Sequence, residues 1–346
     1  DAVLLLSFGG PERREDVIPF LENVLRGKNV PRERMLAVAE HYYHFEGVSP
    51  INAQNRALLA ALQQELQRAG IRLPVYWGNR NWHPFLVDTV RAMRSDGVRQ
   101  AITLATSVFS SYSGCRQYLE DLAQARCEVG EGAPQLDKIR LFFNHPGFIR
   151  AMSDRIQQAL ADIPVSLRKS TQVIYTAHSI PLAMAQGCPY ETQLVEACRL
   201  SSEAAGVADW KLAYQSRSGP PHQPWLGPDI GDYLRQLRAA NTVQAVVLVP
   251  IGFMSNHMEV LFDLDVEAKQ VCAELGLCMV RAGTVGTHPQ FITAIRELIE
   301  ERLSDHPLRQ AMGRLGPSPD VCPSDCCPSG REAVIRRVQE TPLGGK

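Results

Sequence analysis

The stretch Val173-Ile174-Tyr175-Thr176-Ala177-His178-Ser179-Ile180-Pro181 decides how the fold is read. It is a short apolar run rich in β-branched residues, bounded by helical patterns, and a proline closes it two residues after Ser179. A run of this length reads as a buried parallel strand, which sets His178 at its carboxyl end. In open α/β sheets that end faces the ligand crevice. A histidine there is either a core residue bonded to backbone or a site residue, and position alone leaves both open.

Working outward, strand-like runs precede it at residues 2–8, 73–77, 101–106 and 138–143, separated by helical patterns such as 52–69. The alternation then restarts, with strands at 173–177, 211–215, 244–250 and 278–282 and helical stretches near 190–205, 229–240 and 260–275. Strands alternating with helices of this length predict βαβ units and parallel sheets. The expectation is an α/β protein of two Rossmann-like lobes, 1–150 and 151–308, each a four-stranded parallel sheet flanked by helices, with a cleft between them. An extension follows at 309–346: residues 309–330 turn to Gly, Pro, Ser and Cys, and a basic helical stub is expected at 331–340.

Composition supports a globular chain and narrows its partners. The 346 residues are 45% hydrophobic, enough for two cores, and Lys+Arg 36 against Asp+Glu 37 leaves a net charge of −1. No basic stripe interleaved with aromatics calls for nucleic acid. The longest apolar runs are strand-like, far below the roughly 20 residues of a spanning helix. No secretory segment is read, and Asp1 in place of Met suggests a few residues removed or not numbered. Nine cysteines are an odd number, which argues against a disulfide framework and for a reducing cytoplasm. Cys127, Cys188, Cys198, Cys272 and Cys278 are scattered as single small apolar residues are, whereas Cys322, Cys326 and Cys327 crowd together near the end. Crowding suggests metal. The usual phosphate cradles, G-x-x-x-x-G-K-[ST] and G-x-G-x-x-G, are absent, as is the G-x-S-x-G hydrolase elbow.

After the seventh strand comes Pro250 to Asp265, in which His257, Glu259, Asp263 and Asp265 lie where a strand hands over to a helix. Glu259 and Asp263 are four apart, hence on one helical face near its N-terminal end. Carboxylates there serve as plain caps; with His178 on another strand end they also make a pair for proton transfer or for a hard cation. A tryptophan, Trp225, sits in the Pro/Gly-rich loop after the sixth strand. The first lobe offers Phe8-Gly9-Gly10-Pro11, the run Asn79 to Pro84 with Arg80, and the hydroxyl-rich run Thr106 to Ser113 with Tyr112. Aromatics, hydroxyls and an arginine around one cleft suit a flat, anionic ligand.

Taken together these segments resemble the ferrochelatases, which insert ferrous iron into a porphyrin in haem biosynthesis. The resemblance rests on Phe8 to Pro11, Gly47-Val48-Ser49-Pro50, Gly78 to Pro84, Thr176 to Pro181, Pro189-Tyr190, Tyr214 to Ser216, Pro224 to Pro228 and Val249 to Asp265, in the family's order over residues 2 to 300. It implies a lyase of the metal chelatase class, with the family's essential histidine on His178 and its essential glutamate on Glu259, both as catalytic residues and as contacts of the substrate Fe²⁺. An unperturbed pKa of about 6.5 would leave His178 largely neutral and able to accept a proton. Glu259, with Asp263 and Asp265 behind it, would make an acidic path. Two positions depart from the pattern: Asn256 stands where many relatives have Asp, and Phe8 where some have Tyr or Met, so an axial contact to iron from that loop is lost.

The expected substrate is coproporphyrin III, giving iron coproporphyrin, because the stretch Arg26 to Arg34 is polar and basic where membrane-associated relatives carry a greasy lip. Arg26, Tyr42, Ser49 and Arg80 would meet the extra propionates by charge-assisted hydrogen bonds, and Phe8, Tyr112 and Trp225 would contact the ring. Protoporphyrin IX is the alternative substrate. Many relatives carry a [2Fe-2S] cluster on one internal and three C-terminal cysteines, which implies Cys115, Cys322, Cys326 and Cys327 here, with a structural zinc as the rival. The implied partners are porphyrin, ferrous iron and a downstream haem-pathway enzyme, for a cytoplasmic monomer. Rivals from other classes are a non-enzymatic haem or porphyrin carrier, which needs no acidic row, a cobalt chelatase, which typically pairs histidines, and an iron-sulfur redox sensor, which leaves the cleft unexplained.

Overall fold

The computed structural model describes residues 1–220, 222–240 and 243–329. The helical stub expected at 331–340 lies outside the described residues. The first lobe holds β1 (Ala2–Ser7), β2 (Val75–Asn79), β3 (Gln100–Ala105) and β4 (Gln135–Lys138); the second holds β5 (Thr171–His178), β6 (Trp210–Gln215), β7 (Ala245–Val249) and β8 (Cys278–Arg281). They form two four-stranded sheets in the orders β2-β1-β3-β4 and β6-β5-β7-β8, with every neighbouring pair parallel. The two lobes therefore repeat one topology. Their inner strands read as unbroken apolar runs, AVLLLS in β1 and AVVLV in β7, because helices cover both faces and every side chain is buried.

One strand lies elsewhere than its sequence suggests. The apolar run expected as a strand at 138–143 is instead an irregular segment after β4, with Ile139, Leu141, Phe142 and Phe143 all buried. Apolarity there reports burial and not extended pairing, since only Ile139 continues the ladder, donating to the Thr103 carbonyl.

The lobes are not independent bodies. One apolar cluster joins Val3, Leu5 and Leu104 of the first sheet to Val173, Tyr175 and Val247 of the second through Phe142, Phe148 and Phe291. The helix Pro146–Asp162 runs through this shared core, and residue 150, where the lobes were expected to part, lies inside it. Burying each such phenylalanine is worth about 2–3 kcal/mol, so separating the lobes is costly. The helix Pro289–Leu303 ties back to the first lobe, its Arg296 Nε lying 3.1 Å from Glu65 on the helix Ile51–Arg68.

Residues 304–329 form neither helix nor strand and are held by polar anchors. The Arg140 guanidinium grips Glu301 at 2.7 and 2.8 Å and donates to the Gln310 carbonyl. Asn144 donates to the carbonyls of Met312 and Gly316, and Glu196 accepts from the Arg314 amide. No helix among the described residues is long and apolar enough to cross a membrane.

Candidate active site

In each sheet the chain starts at an inner strand, moves to one side and then crosses to the other, so a crevice opens beyond the carboxyl ends of β1 and β3 and of β5 and β7. His178 is the last residue of β5. The turn after β7 passes over that end because Gly252 lies against Ala177, where a Cβ would stand 2.8 Å from the alanine Cα. This close crossing aims the 253–259 segment at His178. Around it, the Ser179 amide donates to the Gln215 carbonyl and its hydroxyl to the Leu226 carbonyl, while the Tyr190 hydroxyl donates to the carbonyl of His178 itself. The strand end is thus fixed from three neighbouring segments.

The Glu259 carboxylate lies between two imidazoles. His178 Nε2 is 3.5 Å from one oxygen and His257 Nδ1 is 3.8 Å from the other. The other ring nitrogen of His178, Nδ1, hydrogen-bonds the Ser179 carbonyl, so the ring is held at both ends. Burial alone would lower the His178 pKa, but the charge and hydrogen bond of Glu259, the Ser179 carbonyl and Asp263 outweigh it and raise it to about 9. Burial likewise pushes Glu259 up, and the neighbouring His178 and His257 overcome this and hold it down to about 2. At neutral pH the resting pair is therefore imidazolium and carboxylate, and not the neutral imidazole expected from an unperturbed histidine. His257 behaves oppositely: burial lowers its pKa and His178 adds to that effect against the pull of Glu259. With side chains 31% and 48% exposed, His178 and Glu259 remain reachable from the cleft.

Asp263 extends the site away from the cleft. The helix begins at Met258–Val260, continues in a π-helical stretch over Leu261–Ala268 and ends as Lys269–Leu275. Four residues on from Glu259, Asp263 returns to the same face and accepts from the Ser216 hydroxyl. Ser216 takes a φ of 61°, rare for a non-glycine residue, which turns its hydroxyl toward that carboxylate. Burial, together with the charges of Glu259 and Glu267, raises Asp263 to about 7 against the Ser216 hydrogen bond. Beyond it opens a cavity of about 340 Å³ lined by Asp229, Glu267 and Glu274 among others. Asp265 does not belong to this row. Two residues past Asp263 a helix has turned to its other side, and Asp265 is held by Arg281 at 2.5 and 2.9 Å. Glu267 takes its expected place. Asn256 also faces Arg281, which donates to its side-chain oxygen at 3.3 Å, while its backbone exchanges two hydrogen bonds with the Gln54 side chain of the first lobe.

The remaining residues singled out from the sequence are spread around the cleft. Phe8 and Tyr42 share an aromatic group with Phe20 and Trp82, and the Tyr42 hydroxyl feels the charge of Glu259 across the cleft. Arg26 is exposed and donates to Asn23, which in turn donates to the Asn81 carbonyl. Trp225 is bridged to Pro181 beside the His178 strand end, and its indole nitrogen has no partner among the described residues. Three others are engaged elsewhere: Arg80 pairs with Asp121 at 2.5 Å and lies over Tyr118, Ser49 is buried beneath Gly10, and the Tyr112 hydroxyl donates to Glu120. Glu267 gained its place from tertiary packing, whereas His257 is already marked beside Glu259 in the sequence.

The tail thiols converge as a chain of contacts. Cys326 and Cys327 have their sulfurs 3.3 Å apart, burial and the neighbouring Cys326 and Cys115 thiols push the Cys322 thiol up, and Arg116 next to Cys115 donates to the Ser324 carbonyl at 2.5 Å. Cys188, read from sequence as an isolated apolar residue, is half-buried and donates its thiol to the Met184 carbonyl at 3.2 Å. Among the described residues no group of three or more histidine, cysteine or carboxylate side chains is set to hold a metal ion as it stands.

Comparisons with known proteins show the family and the fold. The family model for ferrochelatase matches residues 1–303. A ferrochelatase of Rhodopirellula baltica is 58% identical over 327 residues, covering 94% of this chain and 93% of that protein. The coproporphyrin III ferrochelatases of Streptomyces coelicolor (49% identical, 95% and 93% covered) and Nocardia farcinica (50% identical, 97% and 99% covered) are also similar. Among solved structures, SirB from Bacillus subtilis with Fe³⁺ superposes with a TM-score of 0.54 at 12% identity, over 87% of this chain and 94% of that one. CbiX, described as the terminal enzyme of sirohaem biosynthesis in denitrifying bacteria, superposes with a TM-score of 0.51 at 16% identity, over 88% and 100%. These last two show the fold alone.

Proposed function

Because the chain belongs to the ferrochelatase family of metal chelatases, acting on a porphyrin and ferrous iron in haem biosynthesis, we propose that its substrate is coproporphyrin III and that His178 and Glu259 carry the proton and metal chemistry. The observation that carries the residue roles is the Glu259 carboxylate held between His178 and His257 at the cleft end of β5. Metal insertion exchanges two pyrrole protons for one Fe²⁺, so the site has to accept protons where it delivers a dication. The resting His178 imidazolium is already full. A cation arriving at Glu259 cancels the charge that holds the histidine proton, and that proton leaves toward Asp263, whose pKa near 7 lets it both take and release one. The emptied imidazole then accepts the first pyrrole proton, passes it on to Asp263 as before, and accepts the second. Asp263, Glu267 and the acidic cavity behind them serve as the route for protons out or cation in.

Coproporphyrin is favoured by the character of the mouth and by the relatives. The segment 26–34 carries exposed Arg26, Lys28, Arg32 and Arg34 in place of an apolar lip, and the relatives in Streptomyces and Nocardia are coproporphyrin III enzymes by name. Arg26 and Tyr42 would meet propionates and Phe8 and Trp225 the ring; Arg80, Ser49 and Tyr112 would act by shaping the loops that bear them. The decisive experiment is air-free incubation with Fe²⁺ and either coproporphyrin III or protoporphyrin IX, following the absorption change of metallation. A larger kcat/KM for protoporphyrin overturns the substrate assignment.

The tail thiols fit a thiolate-bound group in chemistry. We read the four soft donors Cys115, Cys322, Cys326 and Cys327 as the ligands of a [2Fe-2S] cluster, which would supply thiolate–iron bonds that pin the tail. Iron and sulfide analysis of protein purified without air tests this, and stoichiometric zinc in a colourless protein overturns it. All nine cysteines are free thiols, which accords with a reducing, cytoplasmic setting.

A further inference from the structure

A second cavity, of about 290 Å³, opens between the lobes, and neither His178 nor Glu259 lines it. The first lobe contributes Asn55, on the helix Ile51–Arg68, and Thr106, just past β3. The second contributes Ser255 after β7 and Thr287 after β8. The Gly286 amide donates to the Met254 carbonyl at 2.8 Å, which joins these two turns into one wall. Arg155, on the helix Pro146–Asp162, brings a positive charge to the cavity, and no carboxylate among the described residues lines it. Its Nε donates to the Thr284 carbonyl and its Nη1 to Gln158, both at 3.1 Å, so neutral groups fix the guanidinium. The adjacent Asp154 is taken up by His288 Nε2 at 3.2 Å. The charge of Arg155 is thus left without a paired carboxylate among the described residues.

Asn55 is the second observation that points to a ligand. It is 2% exposed, yet its side-chain nitrogen donates to nothing among the described residues. A buried N–H without an acceptor costs stability, and native proteins hold few of them. An acceptor bound in the cavity satisfies it.

We propose that this cavity binds a small oxyanion, a phosphate or the carboxylate of a small organic acid, between Arg155 and the Asn55 amide. The guanidinium supplies charge-assisted hydrogen bonds and Asn55 a neutral donor, with the hydroxyls of Thr106, Ser255 and Thr287 around them. A metal cation is disfavoured by the same chemistry, since it would meet Arg155 and no carboxylate. An apolar ligand would leave the Asn55 nitrogen unpaired. Because both lobes line the cavity, the bound anion ties them together beside the two hydrogen bonds that Gln54 makes with the Asn256 backbone. Ser255 and Asn256 lead directly into His257 and Glu259, so the anion also steadies the turn that carries the catalytic carboxylate. The inference goes beyond iron insertion and does not depend on which porphyrin the cleft takes.

The test is isothermal titration calorimetry on the whole protein, purified without air into a chloride buffer, with inorganic phosphate and succinate titrated separately at matched ionic strength. One of the two should saturate a single site, and which one does so names the source of the oxyanion. Arg155→Gln and Asn55→Leu should each weaken that binding at least tenfold. Asn55→Leu removes only an unpaired donor, so it should keep the circular dichroism and the anion-free metallation rate of the parent protein, which holds the test open even where Arg155→Gln folds poorly. Coproporphyrin III, followed by fluorescence, should bind equally well with and without the anion. Three results overturn the proposal: neither anion saturates a site, the variants bind as the parent does, or the porphyrin displaces the anion, which would make the cavity part of the porphyrin cleft.

Discussion

The Nε2 of His178 lies 3.5 Å from a carboxylate oxygen of Glu259, and each group shifts the other's proton affinity in the direction that keeps both charged. His178, raised from 6.5 to about 9, contributes its ion-pair stabilisation fully below pH 6.5 and loses it as pH rises through 9. Glu259, lowered from 4.5 to about 2, contributes above pH 4.5 and loses it as pH falls through 2. The pair is therefore complete between about pH 4.5 and 6.5 and persists, weakening, to about 9. Replacing Glu259 by Gln removes the charge and leaves the burial, so the His178 pKa should fall from about 9. NMR titration of the imidazole checks this; a value still near 9 would show that the coupling lies elsewhere.

His178→Ala should abolish metallation by about 10²–10⁴-fold, the usual contribution of a positioned proton acceptor. Porphyrin binding and circular dichroism should be unchanged, because the strand end is held by backbone and by Ser179 and Tyr190 rather than by the imidazole. Fluorescence titration with porphyrin beside the turnover assay separates the two; near wild-type turnover defeats the mechanism.

Asp263 carries the opposite pH signature. Its pKa rises from 3.8 in the unfolded chain to about 7 in the fold, so the native state binds the extra proton and stability should fall as pH rises through that interval. With partial exposure screening the effect, Asp263→Asn should flatten the fall by about 1–2 kcal/mol. Urea unfolding at pH 4, 5.5 and 8 measures it, and parallel curves for the two proteins would count against the assignment.

Asn256→Asp should be tolerated. The side chain at this position accepts from the Arg281 guanidinium, and a carboxylate would strengthen that bond by charge assistance. Stability should rise by at most about 1 kcal/mol, and turnover should stay within a few-fold. By contrast Gln54→Ala removes both hydrogen bonds between the first lobe and the Asn256 backbone, at a cost of about 1–3 kcal/mol. Thermal unfolding distinguishes the two, and equal losses would refute the division between side-chain and backbone roles.

Cys115→Ser should bleach a cluster-loaded protein, whereas Cys127→Ser and Cys272→Ser should not, since Cys127 is exposed and Cys272 is buried in the core of the second lobe. Absorption spectra of the air-free variants decide it. Loss of colour in Cys127→Ser would remove the tail from the account.

The apolar runs and their spacing were enough to determine two βαβ lobes, because burial on both faces of a parallel sheet demands unbroken Val, Leu and Ile and such runs are visible in a linear string. His178 and Glu259 were legible for a related reason: each stands where a strand or helix terminus meets the crevice, and termini are marked by Pro, Gly and a change of periodicity. The run at 138–143 misled because apolarity reports burial and not backbone conformation. What only the tertiary structure decided is partnership across the chain. Arg281 claims Asp265 from 16 residues away, Asp121 claims Arg80, and Arg116 reaches the Ser324 carbonyl through the fold of the tail. The charge state of His178 belongs with these, since 81 residues separate it from Glu259 in the chain and 3.5 Å in space. A linear sequence states which groups exist, but Coulomb energy falls with distance in space, and only packing sets that distance.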